Sequence, residues 1–271
     1  MSTDSKHHTT HLPSLNHITT RLRDAGCVYA EDEARLLMAA GRPADLAAMV
    51  EQRAAGRPLE YVLGWAEFCG RRIALEPGVF IPRRRTEFLA RTAIALVRPG
   101  AVVLDLCCGS GAVGAALATA VSRIRLLAAD IDPKATRCAC RNLAPWGGEV
   151  FEGDLFAPLP AALKARVDLL VVNAPYVPTK AIATLPREAR LHEPRLSFDG
   201  GPDGHRVQRR VAAQATQWLA PGGHLLMETS EAQAAETAWI FRHQGLATRT
   251  VREEDWDATV VIGTKAGGGR G

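Results

Sequence analysis

The chain has 271 residues, of which 47% are hydrophobic and 23% are charged, and its formal net charge at pH 7 is +4. These values are ordinary for a globular protein and allow one large α/β domain with a smaller accessory domain. No apolar run approaches the roughly 20 residues that span a bilayer, and the polar amino terminus lacks the apolar core of a signal peptide, so we expect a cytoplasmic protein that does not contact a membrane. The six cysteines lack the spacing of a disulfide framework or of a CxxC motif, which favours reduced thiols.

The first 60 residues are predicted to form a disordered tail and a small helical domain. Residues 1–13 are polar and rich in histidine, and we expect them to be disordered. From Leu15 to about Arg57 apolar residues recur at three- and four-residue steps, as on the buried face of amphipathic helices. Gly41-Arg42-Pro43 interrupts this pattern, so residues 14–60 are predicted to contain several short helices.

Residues 61–85 are predicted to be a linker. Two short runs, the first starting at Tyr61, are joined by Cys69-Gly70 and are typical of a β-hairpin. The next segment, residues 77–83, is bounded by prolines and is expected to be extended. A helix is predicted from about Thr86 to Val97.

Beyond residue 99, strand and helix patterns alternate, which predicts a doubly wound parallel sheet. The predicted strands are 101–106, 125–130, 149–151, 168–173, 223–228, 247–251 and 259–263. The loop between the last two strands is too short for a parallel crossover, so the final strand should run antiparallel. Seven strands with the last one reversed resemble the S-adenosylmethionine-dependent methyltransferase fold, a Rossmann-like α/β architecture. We assign residues 86–265 to this domain and residues 266–271 to a disordered tail.

The loop after the first strand of this domain is a candidate cofactor site. Glycines let a ligand approach the backbone, and the helix that follows offers free N–H groups. A nucleotide-binding Rossmann domain would use the same device, but a carboxylate at the start of the loop would repel a pyrophosphate and suits a ligand that carries an ammonium and a sulfonium group. The predicted residues are Asp105, Cys107, Cys108, Gly109, Ser110 and Gly111.

Two more carboxylates follow the next two strands. Asp130 ends the second strand, where a carboxylate can accept both ribose hydroxyl hydrogens, and Asp154 is placed to accept from an adenine amine. Each acid alone has a competing role as a helix N-cap. Three acids at the ends of three successive strands nevertheless favour S-adenosylmethionine as the cofactor, with no metal, and Ile131, Leu155 and Asn173 belong to the same predicted site.

The segment Asn173-Ala174-Pro175-Tyr176 follows the fourth apolar strand of the domain. It brings an amide, a kinked backbone and an aromatic ring to the carboxyl end of a strand, where open α/β sheets bind ligands. These groups suit a planar NH₂ held by hydrogen bonds with a ring against its face, which predicts methylation of an amide or of an exocyclic amine. The alternative is an ordinary turn, because Asn and Pro are common turn residues.

The chain resembles the HemK/PrmC family, whose members methylate a glutamine side-chain amide in peptide-chain release factors. The resemblance covers roughly residues 54–264 and depends on four segments. They are Gly56–Gly64 at the linker entry, Val79–Glu87 (similar to "IPRPETE"), Asn173–Tyr176 (similar to "NPPY") and Glu193–Gly204 (similar to "EPxxALxGGxDG"). The chain departs from the family at several positions, namely Cys107 for glycine, Leu155 for tryptophan, Ala174 for proline and Arg84-Arg85 for Pro-Glu, and its helical domain is shorter.

The resemblance implies roles for individual residues. The Asn173 side-chain oxygen and the Ala174 carbonyl would accept the two N–H groups of the substrate amide, while Pro175 fixes the turn and Tyr176 packs on the amide plane. Phe80, Arg83 and Glu193 would join Asn173, Pro175 and Tyr176 in binding substrate. The implied partner is a release factor that presents a flexible, glycine-flanked glutamine, chosen with the help of the helical domain. We expect a monomer and at most indirect contact with nucleic acid.

Two other functions remain open from the sequence. A nucleic-acid methyltransferase could use the same amide and ring on an exocyclic amine, although it would need a flipped or single-stranded base. A binding module could keep the fold without the cofactor.

Overall fold

The structure, a computed structural model, describes residues 13–267. The predicted disordered tails, residues 1–13 and 266–271, lie outside the described residues except at positions 13, 266 and 267. The chain divides into two compact units, residues 1–64 and residues 65–271. No helix in the described part of the chain is long and apolar enough to cross a membrane.

The first unit consists of short helices, as predicted. They are α1 (Leu15–Asp24), α2 (Ala30–Ala40), α3 (Pro43–Ala54) and α4 (Leu59–Leu63). The Ser14 hydroxyl caps α1 by accepting the His17 N–H at 3.3 Å, which satisfies one of the free donors of a helix start. Apolar residues from one face of each of the first three helices form the core, including the fully buried Ile18, Leu22, Ala34 and Leu37.

A buried ion pair links two helices of this core. The Arg53 Nε atom donates to Glu33 Oε2 at 2.6 Å, and Arg53 Nη2 donates to Glu33 Oε1 at 3.1 Å. The two side chains are only 12% and 11% exposed, so their mutual hydrogen bonds replace part of those that each charge lost with water.

The predicted hairpin begins later than expected. Residues Leu59–Leu63 form α4, so the assignment of Tyr61 to a strand is wrong. Gly64 ends this helix in the left-handed conformation at φ 78°, which glycine adopts without steric cost. The antiparallel strands are β1 (Trp65–Phe68) and β2 (Arg71–Ala74), joined by Cys69 and Gly70, both at positive φ, as a tight two-residue turn requires.

The second unit is built on a seven-stranded sheet. Its strands are β3 (Val102–Leu106), β4 (Arg125–Asp130), β5 (Glu149–Glu152), β6 (Val167–Val172), β7 (Leu219–Thr229), β8 (Leu246–Glu253) and β9 (Ala258–Lys265). The spatial order is β5-β4-β3-β6-β7-β9-β8. Strand β9 is antiparallel to both neighbours, as predicted, because the connection Glu254–Asp257 is too short to cross the sheet.

Helices cover both faces of this sheet. The helices of this unit are α5 (Thr86–Ile94), α6 (Ala112–Ala120), α7 (Pro133–Leu143), α8 (Arg187–His192), α9 (Arg206–Trp218) and α10 (Glu231–His243). Alternate residues of β3 enter the two cores: Leu104 and Leu106 pack on the α9 and α10 side, and Val103 packs on the α5 and α6 side. Burial on both faces explains why the parallel strands are continuous apolar runs.

The buried ion pair gives a test of what holds the helical unit together. We expect Glu33→Ala to lower the free energy of unfolding of this unit by about 3–5 kcal/mol, because it breaks a buried ion pair by removing the carboxylate. Amide hydrogen exchange of α1–α3 in the full chain measures the change. Glu51→Ala is the control, since it removes a carboxylate that pairs with Arg21 at the surface, and it should have little effect. Equal destabilisation by both variants would contradict this role of burial.

Candidate active site

The register of three neighbouring strands places the predicted loops side by side. In the β3–β6 pair Leu106 lies opposite Val172, and in the β6–β7 pair Val172 lies opposite Met227. The residues that follow them, Cys107, Asn173 and Glu228, therefore come from adjacent strands at the carboxyl edge of the sheet. The candidate cofactor loop and the candidate acceptor loop thus begin next to each other.

The loop after β3 is held in shape by Asp130. Its Oδ2 atom accepts the Gly109 N–H at 2.9 Å, and its Oδ1 atom accepts the Asp132 N–H at 2.9 Å. A carboxylate oxygen has two lone pairs, so each oxygen retains capacity for a ribose hydroxyl. Burial raises the pKa of Asp130, and the backbone hydrogen bonds oppose that shift.

Asp105 lies beneath the same loop. Its carboxyl is 2% exposed, and Oδ2 accepts the Gly114 N–H near the start of α6 at 2.9 Å. A β-carbon at Gly114 would lie 3.2 Å from that oxygen, so the glycine allows the close approach of the helix. Burial raises the pKa of Asp105 to about 8.

Cys107 has a backbone conformation that favours glycine, which is the residue typical of the family at this position. Its φ is 59°, in the left-handed region that residues with a β-carbon rarely adopt. Gly109 and Gly111 also have positive φ, and a β-carbon at Gly111 would lie 3.2 Å from Ala139 and Leu143 of α7. Tight packing against α7 therefore requires glycine at position 111.

The three predicted carboxylates lie near enough to the Cys107 thiol to affect its ionisation. Burial raises its pKa, and the charges of Asp130, Asp105 and Asp154 raise it further. Cys108 is buried, and so is Ser110, whose carbonyl accepts from Asn142 Nδ2 at 2.8 Å. A glycine-containing loop edged by acids suits a cationic ligand that carries hydroxyl and amine donors, so the residues present fit S-adenosylmethionine.

The surroundings of Asp154 differ from the sequence expectation. Its Oδ2 atom pairs with Arg210 Nη2 of α9 at 2.6 Å, and both side chains are about half exposed. Adenine would therefore share this carboxylate with a guanidinium that the sequence did not indicate. Leu155 is 8% exposed at φ 51° and belongs to the core, whereas Ile131 is 48% exposed beside Asp130.

The acceptor loop is anchored by side chains from two other elements. Asn173 Nδ2 donates to Thr86 Oγ1 at 3.3 Å, and the Tyr176 hydroxyl donates to Glu228 Oε1 at 3.2 Å. Ala174 is 1% exposed and packs in the core in place of the family's proline. Burial, followed by the Glu228 charge, raises the pKa of Tyr176 well above its ordinary range.

The segment Glu193–Gly204 ends in a glycine for a steric reason. Gln233 Nε2 donates to the Tyr176 carbonyl at 2.9 Å. A β-carbon at Gly204, where φ is 82°, would lie 2.4 Å from that carbonyl oxygen and 2.2 Å from the Gln233 nitrogen. Only glycine leaves room for this contact between α10 and the acceptor loop.

The Glu193 side chain joins the segment Glu193–Gly204 to the segment Val79–Glu87. One oxygen accepts the Ile81 N–H at 3.0 Å, and the other forms an ion pair with Arg83. Phe80 packs edge-on against Phe198 with ring centroids 5.9 Å apart, and the Arg83 guanidinium lies 4.9 Å from the Phe80 ring. The Glu193 side chain is only 1% exposed, so its contacts favour a structural role over the predicted contact with substrate.

The segment Glu193–Gly204 is also joined to the acceptor loop by backbone hydrogen bonds. The Val177 N–H donates to the Phe198 carbonyl at 2.9 Å, and the Gly200 N–H donates to the Val177 carbonyl at 2.9 Å. The segments 79–87, 173–176 and 193–204 therefore form one connected structure.

Several residues of this site were not assigned to it from the sequence. Thr86 and Glu228 contact the acceptor loop, Gln233 holds its backbone, and Arg210 pairs with Asp154. For Glu228, an acid directly after the apolar run Leu225–Met227 was the one available hint.

A hollow of about 790 Å³ lies apart from these residues, between the β1–β2 hairpin and helices α6 and α7. Arg71 and Arg72 on its wall stack over Trp146 and Trp65, with 5.7 and 4.3 Å between guanidinium carbon and ring centroid. None of the predicted site residues lines it.

The buried Asp105 predicts a pH dependence of stability. A pKa of about 8 in the folded chain, against an ordinary value of 3.8, means that the carboxyl adds stability below pH 4 and that this stability is lost as the pH rises to 8. We expect Asp105→Asn, which stays neutral and still accepts from Gly114, to remove this loss. Its advantage over the wild type should therefore grow from pH 4 to pH 8.

Tryptophan fluorescence during urea denaturation measures this effect, since all five tryptophans lie in residues 65–271. Asp168→Asn is the matched control, because Asp168 also accepts one backbone N–H, from Val102 at 2.8 Å, but is exposed. An Asp105→Asn advantage that does not change with pH would contradict the prediction.

Comparison with known proteins identifies the family. Residues 72–190 match the methyltransferase small domain. A release factor glutamine methyltransferase of Geobacter sulfurreducens is 36% identical over 230 residues, covering 83% of this chain and 80% of the relative. A 4-amino-L-phenylalanine/4-methylamino-L-phenylalanine methyltransferase of Streptomyces pristinaespiralis is also 36% identical, over 234 residues and with the same coverage.

The fold agrees with this relationship. A methyltransferase from Pyrococcus furiosus superposes with a TM-score of 0.56 at 16% identity, covering 73% of this chain and 90% of that one. With a seven-stranded sheet, an acid-edged glycine loop and relatives of this similarity, the chain belongs to the HemK/PrmC family of S-adenosylmethionine-dependent methyltransferases.

Proposed function

We propose that this protein transfers a methyl group to the side-chain amide nitrogen of a glutamine in a peptide-chain release factor. The observation that carries the proposal is the assembly of segments 79–87 and 193–204 around the acceptor loop. These two segments are the ones whose resemblance is specific to the glutamine enzymes. Contacts through Glu193, Phe198 and Val177 join them to each other and to the acceptor loop.

A carboxamide nitrogen is a poor nucleophile because its lone pair is delocalised into the carbonyl group. When bound, S-adenosylmethionine supplies a methyl group on a sulfonium, which is electrophilic enough for a well-placed neutral nitrogen. Asp130 would hold its ribose, and the loop 107–111 would hold its methionine part. The protein's own contribution is positioning and electrostatic stabilisation.

The acceptor loop provides this positioning. Within the described residues Asn173 Oδ1 receives no hydrogen bond, so it is free to accept one substrate N–H, and the Ala174 carbonyl would accept the other. These bonds strengthen as positive charge develops on the nitrogen. The change from proline to alanine at position 174 keeps the carbonyl, and Pro175 still holds the residue before it extended.

The proposed substrate is a flexible, glycine-flanked glutamine loop, which can enter a narrow site because the flanking residues have no side chains. Such a substrate places the activity in the cytoplasm. Arg84 and Arg85 are exposed and available to a partner, whereas Arg83 is committed to Glu193. We propose a monomeric enzyme whose helical unit takes part in choosing the partner.

An aromatic amine on a free amino acid is a second candidate acceptor. The observation that favours it is the Streptomyces pristinaespiralis relative, named for 4-amino-L-phenylalanine, which is as similar to this chain as the Geobacter sulfurreducens enzyme. An aryl NH₂ presents the same two N–H donors to Asn173 and Ala174 and the same flat face to Tyr176. The acceptor loop therefore does not distinguish the two substrates.

The role of Asn173 gives the first test. We expect Asn173→Ala to lower methyl transfer at least about 10²-fold, because it removes an acceptor whose bond strengthens in the transition state. Binding of S-adenosylmethionine, measured by calorimetry, should remain. Wild-type turnover in this variant would overturn the positioning role, and absence of cofactor binding in the wild type would identify a binding module instead.

The acceptor itself is tested by transfer of labelled methyl groups. The substrates are purified release factors, the same factors with the glycine-flanked glutamine replaced by alanine, 4-amino-L-phenylalanine, and RNA or DNA. We expect labelling of the intact release factor alone. Equal labelling of the replaced factor would contradict the proposal, and labelling only of the amino acid or of nucleic acid would establish the corresponding alternative.

A further inference from the structure

Asn142, on α7, is hydrogen-bonded both to the β1–β2 hairpin and to the candidate cofactor loop. Its Oδ1 atom accepts the Ala74 N–H at 2.9 Å, and its Nδ2 atom donates to the Ala74 carbonyl at 2.9 Å. The same Nδ2 atom donates to the Ser110 carbonyl at 2.8 Å. One side-chain amide therefore joins a helix to a strand end 68 residues away and to a loop 32 residues away.

The orientation of this amide follows from donor counting. A side-chain amide has an oxygen that accepts and an NH₂ group with two hydrogens to donate. Asn142 faces one backbone N–H and two backbone carbonyls, which matches that set. The reversed orientation would place the amide oxygen against the carbonyl oxygens of Ala74 and Ser110. These contacts therefore fix the amide and use both of its hydrogens.

The cofactor loop obtains its backbone hydrogen bonds from itself and from β4. The Gly111 N–H donates to the Cys108 carbonyl at 2.8 Å, and the Cys108 N–H donates to the Ala129 carbonyl at 3.1 Å. The contribution of α7 is the bond from Asn142 to Ser110, a residue that is 2% exposed. A buried carbonyl that loses its donor costs free energy, so the conformation of the loop at Ser110 depends on Asn142.

The same helix also holds the chain at the end of β2 and just beyond it. Cys138 Sγ donates to the Ala74 carbonyl at 3.0 Å, and Arg141 Nη2 forms an ion pair with Glu76 Oε1 at 2.7 Å. Among the described residues, neither of these two side chains has a hydrogen bond to the cofactor loop. Asn142 differs from them because it contacts both the hairpin and the loop.

We propose that Asn142 is a positioning residue for S-adenosylmethionine, which acts through the Ser110 carbonyl to keep the cofactor loop in the conformation that binds the ligand. Since the same amide holds Ala74, the hairpin and the cofactor loop share one anchor on α7. The role concerns the cofactor, so it does not depend on which acceptor is methylated.

Substitution of Asn142 by aspartate tests the proposal with little change in shape. One carboxylate oxygen still accepts from Ala74, but the other cannot donate and lies against two carbonyl oxygens. We expect Asn142→Asp to raise the Kd for S-adenosylmethionine, measured by calorimetry, about tenfold. Asn142→Ala leaves space for water at the Ser110 carbonyl, so its Kd should rise less, about threefold. This second variant still tests the proposal if the aspartate prevents folding.

The control is Cys138→Ala, one helical turn before Asn142. It removes a buried donor to the same Ala74 carbonyl and leaves the bond from Asn142 to Ser110 in place. This variant should lower the free energy of unfolding and keep the wild-type Kd. The proposal is overturned if Asn142→Asp and Asn142→Ala bind S-adenosylmethionine as tightly as the wild type, or if Cys138→Ala weakens binding to the same extent.

Amide hydrogen exchange in the cofactor-free protein tests the state of the loop directly. Exchange of residues 107–112 should be faster in Asn142→Asp than in the wild type and unchanged in Cys138→Ala. Unchanged exchange of these residues in Asn142→Asp overturns the inference.

Turnover assays add a test that a merely structural role would not meet. In Asn142→Asp the KM for S-adenosylmethionine should rise, while the KM for the methyl acceptor should stay within about twofold. A rise in the KM for the acceptor alone overturns the inference. If the wild-type protein methylates no glutamine, the proposed function fails, and calorimetry and hydrogen exchange still decide the role of Asn142.

Discussion

The pairing of β3 with β6 in the middle of the sheet is the constraint on which the candidate site depends. With Leu106 opposite Val172, the loop that begins at Cys107 and the loop that begins at Asn173 must leave the sheet next to each other. A shift by one residue would exchange the two faces of β6 and move Leu170 and Val172 out of the core into which they are packed. The hydrophobic core on both faces therefore fixes the relative position of the cofactor and acceptor loops.

Several groups of the site lie in positions that lower the stability of the folded chain. Asp105, Glu193 and Glu228 are acids with little exposure, and Cys107 adopts a left-handed conformation despite its β-carbon. Such features persist where the surrounding structure is stable enough to support them, and they cluster at functional sites. Here the apolar strands β3, β6 and β7, buried on both faces, provide that support.

The structure also separates the chemistry of the site from the choice of substrate. In the proposed mechanism Asn173, Ala174 and Tyr176 would recognise a flat NH₂ group, and this recognition would be common to an amide and an aromatic amine. Specificity for a protein would have to come from surfaces around the loop, such as the exposed Arg84 and Arg85, and from the helical unit. A family resemblance in the acceptor loop therefore supports the type of reaction more strongly than it supports the identity of the partner.

The sequence by itself determined the strands of the larger unit and the positions of both loops. Buried parallel strands must be apolar along their whole length, and glycines and acids at their ends mark where the chain leaves the sheet. It also indicated the reversed final strand, because a short connection leaves no other choice. By contrast, residues 61–63 seemed to begin a strand, since short apolar runs do not distinguish strand from helix.

Only the tertiary structure decided which side chains support the site. Thr86 and Glu228 are 87 and 52 residues from Asn173 and Tyr176, respectively, and Arg210 is 56 residues from Asp154. Contacts over such separations follow from strand register and helix placement, which local patterns do not encode. For the same reason the sequence suggested that Glu193 binds substrate, and the fold placed its carboxylate between Ile81 and Arg83.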